Sequence, residues 1–160
     1  MRATRWTALG IAGLIFAAAP PLHAEHRHVA PHGGTLVELG PDLAHVELVL
    51  DPRAGKLTAY VLDGEAENAV RIQARQLELL LRDVKRGLGV PVEPQQSKLV
   101  LEAIGNVLTG ETPGDTSQFE AKTPTLAGVL EFKGALTRLE VRGAAFERVD
   151  FSFPAGNERP

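Results

Sequence analysis

AHVELVLDPRAGKLTAYVL, residues 44–62, consists of two apolar runs on either side of the turn signal DPRAG, and this stretch decides the fold. His45 and Glu47 fall on one face of the first run by the two-residue period of a β-strand. The other face carries the apolar residues Val46, Leu48 and Leu50. The second run is rich in residues that favour strands, and Pro and Gly in the turn favour a chain reversal. The stretch therefore predicts a β-hairpin with one face in a core.

Short apolar runs separated by turn signals continue on both sides of this hairpin and predict further strands. They lie at 35–39, 76–82, 97–104, 117–121, 129–141 and 146–153, where 129–141 would hold one or two strands around Gly134. Residues 124–128 predict one helical turn. Residues 73–86 also fit a helix, because Leu77, Leu80, Leu81 and Val84 have helical spacing. We expect a strand there, since strands surround it and Leu77, Leu79 and Leu81 alternate. Strands without alternating helices predict an all-β, antiparallel β-sandwich, immunoglobulin-like or related, or a barrel.

The N-terminus has the order of a cleavable signal peptide. Arg2 and Arg5 precede an apolar run at 6–19, and Leu22-His23-Ala24 offers a cleavage site. The run is shorter than the roughly 20 residues that span a bilayer, so no membrane span is expected after cleavage. We expect a periplasmic protein with a signal peptide at 1–24. The remainder divides into a flexible histidine-containing arm at 25–34, one β-rich domain at 35–154 and a polar tail at 155–160.

Composition narrows the class of protein further. The chain has no cysteine, so a hydrophobic core and not disulfides must hold the domain. Loss of Arg2 and Arg5 with the signal peptide takes the formal net charge from −3 to −5. An acidic balance argues against nucleic acid and anionic membrane surfaces as partners.

The histidines are concentrated near the start of the mature chain. Four of the five lie between residues 26 and 45, and imidazole is a common ligand for zinc and copper. His45 and Glu47 would project from one face of a strand roughly 7 Å apart. An arm folded back on this face would bring other imidazoles to it. The predicted metal ligands are His26, His28, His32 and His45, with Glu47 completing or orienting the site.

The alternative interpretation is that these residues have no metal role. Polar residues near a terminus are usually solvated, and His45 and Glu47 would then form the water-facing side of a half-buried strand. No catalytic constellation is present: the chain has no Gly-x-Ser-x-Gly, no cysteine nucleophile and no pattern that selects a pair of carboxylates. The acidic group Asp63, Glu65 and Glu67 indicates a turn. We expect the protein not to be an enzyme.

Five segments resemble a group of small periplasmic proteins that are largely uncharacterised. They are His-Gly-Gly-Thr at 32–35, His-Val-Glu-Leu-Val at 45–49, Lys-Leu-Thr-Ala-Tyr-Val-Leu-Asp-Gly at 56–64, Gly-Glu-Thr at 110–112 and Phe-Ser-Phe-Pro at 151–154. This resemblance covers most of the chain after the predicted signal peptide, and it implies a periplasmic location but little function.

Residues 31–63 are also similar, over a shorter stretch, to the N-terminal region of periplasmic adaptor subunits of heavy-metal efflux pumps of the resistance-nodulation-division type. That similarity implies a metal role for His32, His45 and Glu47. The chain lacks the long coiled-coil hairpin and lipoyl-like halves of a full adaptor, so it would act as a stand-alone domain.

These observations lead to two competing predictions of function. The first is a periplasmic domain that binds a divalent metal, zinc or copper, and assists metal homeostasis or efflux with periplasmic efflux components as partners. The second is a protein-interaction module of β-sandwich type with no metal role, which would use exposed strand edges near Ser117 or Thr35.

Overall fold

The computed structural model describes residues 28–91 and 96–157. The predicted signal peptide, the candidate ligand His26 and the end of the polar tail lie outside the described residues. The strands are β1 (Thr35–Leu39), β2 (Ala44–Asp51), β3 (Lys56–Asp63), β4 (Gln76–Arg86), β5 (Val90–Pro91), β6 (Gln96–Ala103), β7 (Gln118–Lys122), β8 (Val129–Val141) and β9 (Ala144–Phe153). Short 3-10 turns occupy Gly87–Gly89 and Pro124–Leu126, and the described residues contain no α-helix.

All the strands join one antiparallel sheet in the order β1-β2-β3-β7-β6-β4-β8-β9, with β5 paired to β4. This sheet curls until it is nearly closed, so its parts face each other across a core as in a sandwich or barrel. The all-β antiparallel prediction is confirmed. Within the described residues no helix is long and apolar enough to cross a membrane.

The segment that fitted both helix and strand forms β4. Leu77, Leu79 and Leu81 are buried, whereas Glu78 and Leu80 between them are only partly buried. The two-residue period therefore prevails over helical propensity, because β4 pairs with β6 on one side and β8 on the other. Its inward leucines join one apolar core that runs from Val37 to Phe151.

The prediction of an exposed strand edge is wrong near Ser117, and near Thr35 the strand lies at the edge of the sheet as predicted but is covered. Strand β7 lies inside the sheet, paired with β3 on one side and β6 on the other. Strand β1 ends the sheet, but the segment after β9 covers it. Asn157 accepts a hydrogen bond from Glu38 N at 2.7 Å and donates one to Glu38 O at 3.2 Å, in the way that a neighbouring strand would. The Thr35 hydroxyl donates to Pro154 O at 3.1 Å.

Candidate functional site

The outer face of β2 is covered by the arm that precedes β1. His45 and Glu47 point away from the main core, yet both are fully buried. Leu36, Leu62 and Ala66 form a second, small apolar cluster, against which Ala30 and Tyr60 pack. The interpretation of this side of β2 as water-facing is therefore wrong, because the arm and the second cluster together exclude solvent from it.

The Glu47 carboxylate fixes the arm in place. Oε1 accepts hydrogen bonds from the backbone N–H groups of His32 and Gly34, both at 2.8 Å. Oε2 accepts from His32 Nδ1 at 2.7 Å. Both oxygens are thus used within the protein, and hydrogen bonds from ring and backbone N–H groups to a carboxylate are among the stronger ones in proteins.

The two glycines after His32 explain why the chain can make this turn. Gly33 has φ +71, a backbone conformation that other residues rarely adopt. Gly34 lies so close to β2 that an added Cβ would stand 2.6 Å from Leu48 O. The sequence His-Gly-Gly therefore encodes a tight turn that wraps around the Glu47 carboxylate.

His32 is held in one orientation by two contacts. Its ring stacks on Tyr60 with centroids 3.8 Å apart and planes within 9° of parallel. Tyr60 is the register partner of Glu47 across the hairpin, so the strand pairing itself sets this contact. Since a carboxylate oxygen can only accept, His32 Nδ1 is the donor, and a neutral ring then carries its lone pair on Nε2. The His32 side chain remains 44% exposed.

His45 has the same tautomer for a similar reason. Its Nδ1 lies 3.2 Å from the carbonyl oxygen of Asp63, which can only accept a hydrogen bond. A neutral His45 ring therefore also carries its lone pair on Nε2. The ring of His28 lies against His45, with centroids 4.6 Å apart and planes tilted by 56°. We call His28, His32, His45, Glu47 and Tyr60 the histidine face.

The structure thus brings four of the five predicted ligands to one face, where they form two separate pairs. His28 meets His45, and His32 meets Glu47. Among the residues that the structure describes, no three histidine or acidic side chains are grouped closely enough to hold a metal ion. The fifth candidate, His26, falls outside them.

The acidic group at the end of β3 belongs to a turn, as its sequence indicated. Asp63 Oδ1 accepts from the backbone of Glu67 and Asn68, and Oδ2 accepts from the Asn68 side chain at 2.7 Å. The hydrogen bond from the Asn68 side chain is the main cause that holds the pKa of Asp63 below its ordinary value.

Tyr60 is the member of the histidine face that sequence reasoning missed. It lay in the hairpin whose register was predictable, directly across from Glu47, so the cross-strand pairing was the available signal.

Comparison with known proteins adds no relative to this picture. The chain matches no protein-family model, and no curated protein or solved structure is significantly similar to it.

Proposed function

We propose that the chain is an exported, periplasmic domain that binds a divalent metal ion, zinc or copper, at the histidine face and assists metal homeostasis or efflux. The observation that carries this proposal is the shared orientation of two imidazoles. His32 and His45 each donate Nδ1–H to an oxygen, one on a carboxylate and one on a backbone carbonyl. The proposed export rests on the signal-like sequence of residues 1–24.

This orientation is the one that metal-binding histidines have. A histidine that binds a metal through Nε2 nearly always donates its other ring N–H to a carboxylate or a backbone carbonyl, which fixes the ring and raises its basicity. Glu47 and the Asp63 carbonyl would serve in this role. Glu47 therefore orients the site, since both of its oxygens are already hydrogen-bonded.

The contact between His28 and His45 supplies a second imidazole beside a buried one. Two protein ligands leave coordination positions open for water or for a donor from another protein. Such a site exchanges its metal more readily than a closed four-ligand site, which fits a role in homeostasis or efflux better than a purely structural one. Periplasmic components of an efflux system are the partners that this role implies.

The experiment is a calorimetric titration with zinc and copper(II) of protein expressed with its own N-terminus and no histidine tag. We expect saturable binding, micromolar or tighter, weakened at least tenfold in His28→Ala and His45→Gln. Circular dichroism checks that each variant is folded. The intact mass of the periplasmic fraction tests export and cleavage near Ala24. Weak, non-saturating heat that is equal in all proteins would contradict the metal proposal.

Glu47→Gln tests whether His32 belongs to the site without changing any proposed ligand. The Gln oxygen can still accept from the two backbone N–H groups, but its NH₂ then faces His32 Nδ1. His32 must take the other tautomer, with its proton on Nε2 and no lone pair there. If His32 contributes to the site, metal affinity falls while the fold is kept. Unchanged affinity would restrict the site to His28 and His45.

The interaction-module alternative is supported by a different surface, the exposed side chains of Val107 and Leu108.

A further inference from the structure

The arm covers the outer face of β2 but is not itself buried. His45 and Glu47 beneath it are fully buried, whereas Val29 is 82% exposed and none of residues 28–34 is buried. Docking of the arm therefore removes polar side chains of the sheet from water, while it buries little apolar surface of its own. Since burial of apolar surface is the main favourable contribution to folding, the arm gains little of that contribution.

Two further features favour opening of the arm over opening of the sheet. A cavity of about 480 Å³ lies between the arm and the segment after β9, at Pro154 and Ala155. Gly33, with φ +71, and Gly34 connect the arm to β1 and allow the backbone to bend there. Segments with few buried apolar contacts open locally more readily than strands that line a core. We therefore expect the arm to open from the sheet while the strands stay paired.

The arm and the sheet each supply one imidazole to a pair of neighbouring histidines. His28 belongs to the arm and His45 to β2, and their ring centroids lie 4.6 Å apart. The hydrogen bonds from His32 and Gly34 to Glu47 hold the arm in the position that makes this contact. When the arm opens, His28 leaves His45, and His32 loses the carboxylate that orients it. The proposed metal site is therefore complete only while the arm is docked.

We propose that a metal ion bound by both His28 on the arm and His45 on β2 fastens the arm to the sheet, so that metal occupancy controls whether the outer face of β2 is covered. This inference rests on the proposed metal-binding function and adds a regulation of the same site. A ligand that binds only one of two states stabilises that state. The metal-loaded protein therefore keeps the arm docked, whereas the metal-free protein exposes the outer face of β2 more often.

Amide hydrogen exchange followed by nuclear magnetic resonance tests the proposal, with zinc as the metal because it is diamagnetic. The amides of His32 and Gly34 donate to Glu47, so they exchange when the arm opens. For a ligand that binds only the docked state, the open fraction falls in proportion to the ratio of free zinc to Kd once that ratio is large. At free zinc of about 100 times Kd, we expect both amides to exchange about 100-fold more slowly than in the metal-free protein.

One other amide and two variants serve as controls. The Leu108 amide, which donates to the Asn106 side chain in the connection between β6 and β7, should exchange at the same rate with and without zinc. His28→Ala removes the imidazole of the arm, so the same zinc concentration should leave the exchange of the arm amides unchanged. Val29→Ala alters the exposed neighbour of His28 and no proposed ligand, so it should keep the full effect of zinc.

Calorimetry on the same samples separates failure of this proposal from failure of the proposed function. Saturable zinc binding with unchanged exchange of the His32 and Gly34 amides would overturn the fastening of the arm and leave metal binding standing. Absence of saturable binding would overturn both. Equal slowing in His28→Ala would overturn the proposal as well, because zinc would then fasten the arm without its imidazole. Slowing of Leu108 together with the arm amides would do the same, since it would indicate an effect that is not specific to the arm.

Discussion

Replacing Glu47 with Ala should lower the free energy of unfolding by about 2–4 kcal/mol and release the arm from the sheet. The carboxylate is fully buried and accepts three hydrogen bonds. Hydrogen bonds to charged groups contribute about 1.5–3 kcal/mol each, about 4.5–9 kcal/mol in total. The variant regains part of this free energy for two reasons. Burying the carboxylate costs several kcal/mol, a cost that the Ala variant avoids, and the amides released from Glu47 can form hydrogen bonds with water. The net loss of unfolding free energy is therefore smaller than the sum of the three hydrogen-bond contributions.

Urea unfolding followed by circular dichroism at pH 7 gives the change in stability, and hydrogen exchange gives its location. The amide protons of His32 and Gly34 should be protected in the wild-type protein and exchange freely in Glu47→Ala. Glu47→Gln keeps an acceptor for both amides, so it should keep their protection and lose only about 1 kcal/mol. A loss below about 0.5 kcal/mol in the Ala variant, with both amides still protected, would refute the view that this carboxylate holds the arm.

Three other changes test separate parts of the structure. Gly34→Ala places a Cβ 2.6 Å from Leu48 O, so we expect a loss of about 1–3 kcal/mol in urea unfolding and faster exchange in the arm; unchanged values would contradict the close packing. Burial alone would raise the pKa of Glu111, but its hydrogen bonds outweigh burial and lower the pKa below the ordinary 4.5. The folded state therefore loses stability as pH falls below about 4.5, and Glu111→Gln should flatten that part of the stability–pH curve, whereas an equal slope would show that Glu111 does not contribute. Asn157→Ala removes two hydrogen bonds to Glu38 and should cost about 1–2 kcal/mol in thermal or urea unfolding, while no change would show that the edge of β1 does not need this cover.

Local patterns were sufficient to predict every described strand except the two-residue strand β5. The alternation of Leu77, Leu79 and Leu81 predicted the structure of this segment better than its helical spacing did. Strand β4 pairs with a strand on each side, and its inward leucines pack into the core. The hairpin predicted at 44–62 formed, with β2 paired to β3 around the turn. In each case the decisive information lay within a few neighbouring residues.

The order of the strands was not predictable in this way. Strand β7 was taken for an edge because it is short, yet it pairs with β3, which lies about sixty residues earlier in the chain. The cover on β1 depends on a pairing between Glu38 and Asn157, 119 positions apart. Such contacts depend on how the whole sheet closes, and no local period records them.

The candidate site lies between these two cases. The histidines and Glu47 were identifiable by residue type, and the two glycines after His32 indicated a bend, but burial of the face required knowing that the arm returns to β2.

Packing the arm on β2 buries the Glu47 carboxylate, and the loss of its hydration has a cost in free energy that an apolar contact would avoid. Well-packed apolar residues often stabilise a protein as much as a buried ionic group, or more. A leucine pair would dock the arm without leaving a carboxylate to be satisfied. Glu47 instead orients an imidazole, and the Asp63 carbonyl orients a second in the same tautomer. The metal site that we propose would bind through the Nε2 atoms that this arrangement leaves unprotonated in the neutral rings.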